Sequence, residues 1–219
     1  MKLFIIYISL LFFVQSTDWD IKTLDTARKA TYLSDIEKDI ILELNKVRTN
    51  PKKYAEEYLI PLKKLYSGLY FQYSGEKRII TSEGISALEE CIEALNNEKP
   101  IGILYPYYGL SEAADYLQID QYITGNTGHY SSDGKNLSDR IDKYGKWSGS
   151  IGEIIDYGSE NARRVVISLL IDDGVPSRGH RKNIFNPSFQ CVGVSFGNHK
   201  EYEYSCVIDF ATKFIDYVK

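Results

Sequence analysis

The chain has 219 residues and a formal net charge of -4, with no basic run along it. That length supports one domain with a substantial core, and the charge excludes nucleic acid as the expected partner. Only three histidines and three cysteines are present, so the candidates for chemistry are few.

Met1-Lys2 precedes an apolar run, Leu3 to Val14, that closes on Gln15-Ser16-Thr17. A basic start, about a dozen apolar residues and a small-residue exit describe a secretory signal peptide. A membrane span needs roughly 20 apolar residues, and Asp18-Trp19-Asp20 ends the run early. Cleavage near Ser16 and export follow as expectations, with an uncleaved anchor as the other reading. Residues 1–16 are then the signal, 17–33 an extended polar arm, 34–212 one domain and 213–219 a tail.

Ser34 with Glu37 forms a capping box, and Ile36, Ile40, Leu44 and Val47 fall on one face of the helix that it starts. Asn50-Pro51 stops this helix and opens the next, which runs to Pro61. Residues 62–80 are tyrosine-rich, with turns at Ser67-Gly68 and Ser74-Gly75. Ser82 to Asn97 is a third helix, carrying Ile85, Leu88, Ile92 and Leu95 in register. A Pro/Tyr/Gly connector leads to a fourth, capped by Ser111 and running over Glu112 to Ile123. Tyr105, Tyr107 and Tyr108 in that connector are candidates either to line a lipid groove or to fill core and surface.

A glycine-rich loop, Thr124 to Gly134, holds His129, and Asn136 caps a short helix that Gly145 closes. Asn136-Leu137-Ser138 is also a glycosylation sequon. Ile151 to Tyr157 has strand composition. Ser159 is expected to cap a helix with Ala162, Val165, Val166 and Leu169 at core spacing, ended by Gly174 and Pro176. Cys191 to Phe196 and Tyr202 to Phe210 are two strands of a hairpin whose tip carries His199, expected in solvent. Early helices and late strands imply an α+β fold. In an oxidising compartment Cys191 and Cys206, flanking that hairpin, are expected to pair, leaving Cys91 as a buried thiol on a helix; pairings through Cys91 stay open.

None of the candidate segments carries a zinc-protease helix or a nucleophile elbow. Glu153, after Gly152 and amid Ile151, Ile154 and Ile155, is expected to be partly buried and to need a partner. Histidine suits that role, since one ring nitrogen can bond a carboxylate while the other faces a ligand. Arg181 and Asn183 are expected to fix the backbone around His180, and Asp133 with Asp139-Arg140 to brace the loop and the short helix.

Six motifs follow one another: His129-x-Ser131-x-Asp133-Gly134, Asp139-Arg140, Tyr144-Gly145, Gly152-Glu153, Gly179-His180-Arg181-x-Asn183-Ile184 and Val192-Gly193-Val194. In this order and at these intervals they resemble the CAP superfamily, the cysteine-rich secretory, antigen five and pathogenesis-related one proteins, in the form of its bacterial and protist secreted members. The resemblance is firm from Leu110 to Ala211 and looser from Ser34, where Leu44-Asn45-Lys46-Val47-Arg48 is similar to the family's first helix. It implies an α-β-α sandwich, with helices on both faces of a small antiparallel sheet, and a cleft where two histidines and two acids converge. Those residues are His129, His180, Glu153 and, as the fourth, Asp172 or Asp173, with Asp172 chosen because it stays within the helical run. It also implies weak zinc binding by His129 and His180, and binding of a lipid, peptide or protein partner by an expected monomer, without catalysis. The alternative is a metal-dependent hydrolase with Glu153 as base.

Overall fold

The computed structural model describes residues 18–217; the expected signal peptide lies outside them. What reads as an extended arm is instead folded onto the domain. It forms a four-residue helix α1 (Ile21–Leu24) followed by turns, and buries Leu24, Ala27 and Leu33. Asn45 is the reason. From inside helix α2 (Asp35–Thr49), its amide donates to the carbonyls of Leu24 at 2.9 Å and Leu104 at 3.2 Å. Its Oδ1 accepts from the Leu104 amide at 2.7 Å. A buried side chain amide with these partners ties two loops to one helix.

Glu37 closes the start of α2 as its spacing predicts, accepting from the Ser34 amide at 2.7 Å. Asn50 caps α3 (Pro51–Tyr54), which runs on as a π turn over Ala55–Leu59 and a 3-10 turn over Ile60–Leu65. A small three-stranded sheet follows, β1 (Tyr66–Ser67), β2 (Tyr70–Phe71) and β3 (Ile79–Ile80), then α4 (Ile85–Asn97) and β4 (Tyr105–Pro106). Helix α5 covers Tyr108–Thr124 and so starts earlier than expected. Ser111 lies inside it and accepts from the Val194 amide at 3.3 Å rather than capping. The chain continues through α6 (Leu137–Ile141), β5 (Gly145–Tyr157), α7 (Ala162–Ile171), α8 (Gly179–Ile184), β6 (Cys191–His199) and β7 (Glu203–Asp216). Asn161, not Ser159, caps α7, accepting from the Arg164 amide at 3.1 Å.

The main sheet has the order β4-β6-β7-β5, antiparallel except where two-residue β4 runs parallel to β6. Alternation along β7 sorts the core. Cys206, Ile208 and Phe210 join Ile154, Val192 and Val194 against α2, α4 and α7. Val207 and Ala211 face α5 and α6 with Leu110, Ala113, Leu117 and Ile141. Helices thus cover both faces, the expected α-β-α sandwich. Two glycines let helices touch the sheet. A Cβ on Gly193 would fall 2.1 Å from Leu110 C of α5, and one on Gly152 would fall 3.0 Å from Asn183 Oδ1 of α8.

The same alternation corrects the disulfide. Cys191 sits opposite Ala211, while Cys206 sits opposite Phe196, five positions further along β6. Five residues of strand span roughly 17 Å, whereas bridged Cα atoms lie about 4.4–6.8 Å apart. An odd separation also puts the two thiols on opposite faces, Cys191 with Leu110 and Cys206 with Ile208. All three cysteines are free and buried, Cys91 as expected. Among the described residues no helix is long and apolar enough to cross a membrane.

Candidate functional site

Strand β5 is an edge strand, and Glu153 lies in its middle on the α5/α6 side, its side chain only 3% exposed. Glu153 Oε1 meets His129 Nδ1 at 2.8 Å, and Glu153 Oε2 is ion-paired with Arg140 of α6. His129 comes from the loop after α5, where Gly128 has φ +97°, a left-handed value that favours glycine. Its neighbours hold the loop in place. Gln121 donates to the Gly128 carbonyl at 2.7 Å, the Gly128 amide donates to Tyr157 Oη at 2.9 Å, and Arg140 Nη1 donates to the His129 carbonyl at 3.1 Å. Half of the His129 side chain remains open to solvent.

His180 is the second residue of α8, and Asp172 fixes it twice. One carboxylate oxygen meets His180 Nδ1 at 2.7 Å and the other accepts from the His180 amide at 2.9 Å. Asp172 was expected within the helical run. It is instead the C-cap of α7 at φ 56°, and that left-handed turn aims its carboxylate back at the next helix. Arg178, also left-handed at φ 51°, anchors the loop to α4. It donates to both Glu83 oxygens at 2.7 Å and to the Asp172 carbonyl at 2.8 Å. Arg181 reaches Glu90 at 2.6 Å, and Asn183 Nδ2 donates to the Glu153 carbonyl at 3.4 Å. Arg181 and Asn183 therefore fix the segment, as their sequence context predicts.

The four candidate residues thus form two carboxylate–imidazole pairs. When each carboxylate accepts from Nδ1–H, Nε2 is the nitrogen left for a ligand, with its lone pair outward. Two such nitrogens do not make a metal cage. Among the described residues no three His, Cys, Asp or Glu side chains are grouped to hold an ion. The donor set does not fit a firmly held zinc.

The serines beside His129 are spoken for. The Ser131 hydroxyl donates to Asp133 Oδ1 at 2.5 Å, and the Ser132 hydroxyl donates to Asp120. Neither faces the imidazole as an activated nucleophile would. His199, expected in solvent, is 3% exposed. Its Nε2 meets the Asn126 carbonyl at 3.0 Å, and its Nδ1 accepts from the Glu201 amide at 3.1 Å. The ring is a brace for the hairpin tip and the His129 loop, because a short polar turn offers backbone groups that one imidazole can satisfy from both sides.

Two residues escaped the sequence reading. Arg140 is more than a loop brace, since it is the buried cation on Glu153. Asp209 on β7 lies directly opposite Glu153 in the ladder and is 0% exposed. Its burial, and then the Glu153 charge, push its carboxyl well above the usual range. The signal for it was the one already used for Glu153: an acid amid Val207, Ile208 and Phe210 on an apolar strand. Under α7, burial also pushes Asp156 up to about 6, against the Ser168 and Ser159 hydroxyls.

Two cavities lie away from these pairs. One of about 390 Å³ opens across the strand ends between Tyr105, Tyr107, Trp147 and Phe214, and one of about 750 Å³ adjoins Trp19 and Lys53. Tyr105 and Tyr107 line a groove, as was open for them, while Tyr108 packs edge-on against Tyr32 at 5.3 Å.

Residues 109–210 match the family model of the cysteine-rich secretory protein family, CAP. This stretch is a CAP domain. Both pairs lie within it: His129, Glu153, Asp172 and His180, together with Arg140 and Asp209. Two solved structures are similar to the chain. An outer surface protein of Borrelia burgdorferi is 23% identical, over 58% of this chain and 89% of that one, with a TM-score of 0.44. An extracellular SCP-domain protein of Bacillus anthracis is 21% identical, over 52% of this chain and 35% of that one, with a TM-score of 0.42. A search of curated proteins gives no match.

Proposed function

We propose that this is an exported CAP-domain protein that binds a ligand at its two carboxylate–imidazole pairs and does not catalyse a reaction. The observation that carries the reading is the use of Nδ1 in both pairs, at 2.8 Å in one and 2.7 Å in the other. Each imidazole is thereby held in the tautomer that offers an unprotonated Nε2, an acceptor for a ligand N–H or O–H or a donor to a cation. A lipid hydroxyl, a peptide amide and a weakly held divalent ion all meet that requirement. Glu153 speaks against hydrolysis. With one oxygen on His129, the other on Arg140 and its side chain only 3% exposed, it is poorly placed to activate a water. Export rests on the Leu3 to Val14 run. It makes Asn136 a site for a glycan, since its Oδ1 caps α6 and leaves the amide nitrogen.

The test is calorimetry of zinc and, separately, pull-down of sterols, fatty acids and extended peptides, with the wild type and His129→Ala/His180→Ala. Binding by the wild type that is lost in the double variant supports the reading. Equal heats and equal retention in both proteins overturn it.

A further inference from the structure

Glu153 and Asp209 face each other across the ladder between β5 and β7. Both are buried, at 8% and 0% exposure. Two carboxyls here meet one guanidinium, and Arg140 places its ion pair on Glu153 alone. Asp209 has neither oxygen hydrogen-bonded to a donor, and the polar group beside it is another acceptor. A carboxylate this deep without a partner costs several kcal/mol, and a second negative charge next to it adds to that cost.

Among the described residues no other element supplies compensation. On the other side of Asp209 its ladder partner is Gly193, which has no side chain. Helix α5 lies on Gly193 through Leu110 and Ser111, and its Asp115 is occupied by the Ser195 hydroxyl at 3.0 Å. The charged groups acting on Asp209 are Glu153 and Arg140; His129 stands beyond Glu153. Two facing acceptors with one cation between them are reconciled by a proton.

We infer that Asp209 is a neutral carboxylic acid at neutral pH and donates its proton to Glu153, as a positioning residue for the His129–Glu153 pair. The cluster is then electrically balanced, with Glu153 ionised between Arg140, Asp209 and the Nδ1–H of His129. All the lone pairs that matter are turned inward, and the His129 ring is held with Nε2 outward. The importance of this for binding rests on the ligand reading above, but the protonation state does not.

The experiment therefore uses no ligand. Infrared difference spectra of wild type minus Asp209→Asn at pH 7 should show the carbonyl band of a protonated carboxyl. Urea unfolding should show the same proton. Above pH 6, past the range of Asp156, the unfolding constant of the wild type should rise about tenfold per pH unit relative to Asp209→Asn, one proton being released on unfolding. Asn is a neutral isostere of the proposed acid and has no such release. Parallel stability curves between pH 6 and 7 overturn the inference. So does a wild type without a neutral-carboxyl band at pH 7, which decides the matter even if Asp209→Asn does not fold. A failure of ligand binding would leave both readouts standing.

Discussion

Arg140→Met is the sharpest test of how the site is built. Arg140 is 1% exposed and its partner Glu153 keeps only 3% of its side chain in solvent. Methionine matches the stem of arginine but not its charge, so the change strands a carboxylate rather than opening a large hole. Breaking one side of a buried ion pair costs roughly 3–5 kcal/mol. The carbonyls of His129 and Lys135 also lose the donor now at 3.1 and 3.2 Å; being only partly buried, they add less than about 1 kcal/mol each. The expected loss is therefore about 4 kcal/mol, a fall of roughly 2 M in the urea midpoint for an m-value near 2 kcal/mol/M. Adding Glu153→Gln removes the stranded charge, and Arg140→Met/Glu153→Gln should recover roughly 2 kcal/mol or more of the sum of the single losses. A cost below about 1 kcal/mol for Arg140→Met, or strict additivity in the cycle, would refute the buried pair as the frame of the site.

Other outcomes follow from the same structure. Asp156 sits at about 6 in the folded chain against 3.8, so its raised value contributes stability below about pH 4 that is lost as pH rises to about 6. Relative to Asp156→Asn, the wild type should lose about 3 kcal/mol across that window; a flat difference between pH 4 and 6 would contradict it. Arg48 is fully buried and donates to four carbonyls, those of Gly102, Ile184, Asn186 and Phe189, with no carboxylate. Arg48→Met should cost about 4 kcal/mol, about 1 kcal/mol per stranded acceptor, and speed hydrogen exchange first in residues 184–190; uniform exchange with unchanged stability would count against it. Burial pushes the Cys91 thiol up to about 11 and raises Cys191 and Cys206. Iodoacetamide should therefore label none of the three in the native protein and all three after denaturation without a reductant; a labelled native thiol or a missing one would be decisive.

Much of the fold was legible because its signals are local. The box of Ser34 and Glu37, Asn50-Pro51, and the spacing of Val165, Val166 and Leu169 each state a helix within four or five residues. Failures came where a distant group decides. Ser111 reads as a cap because serine favours that place, but Val194 from β6 uses its hydroxyl. The segment from 18 to 33 reads as an arm because it has no period, yet Asn45 donates to its Leu24 carbonyl and the Leu104 carbonyl accepts from its Thr26 hydroxyl. Pairing Cys191 with Cys206 required counting register, since two cysteines flanking a hairpin meet only if they are opposite one another on the same face.

The site follows the same logic at shorter range. His129 and Glu153 stand out because each is a polar residue in a glycine-rich or apolar context, and His180 because it is one of three histidines and lies in the Gly179 to Ile184 motif. Their supports are less visible because each support looks ordinary where it stands. Arg140 lies in a surface-like helix of five residues, and Asp172 at a helix end where an aspartate is unremarkable. What makes them matter is direction. A left-handed turn at Asp172 sends its carboxylate to α8, and one turn of α6 sends Arg140 under the sheet edge. The two halves also differ in kind. His180 is held by the buried carboxylate of Asp172, and the loop before it is pinned through Arg178 to the partly exposed Glu83 and Glu90. His129 is held through a buried charge cluster in the sheet. If both pairs bind a ligand as proposed, Arg178→Ala, which frees the loop before α8 from Glu83 and Glu90, should weaken binding at His180 without unfolding the domain.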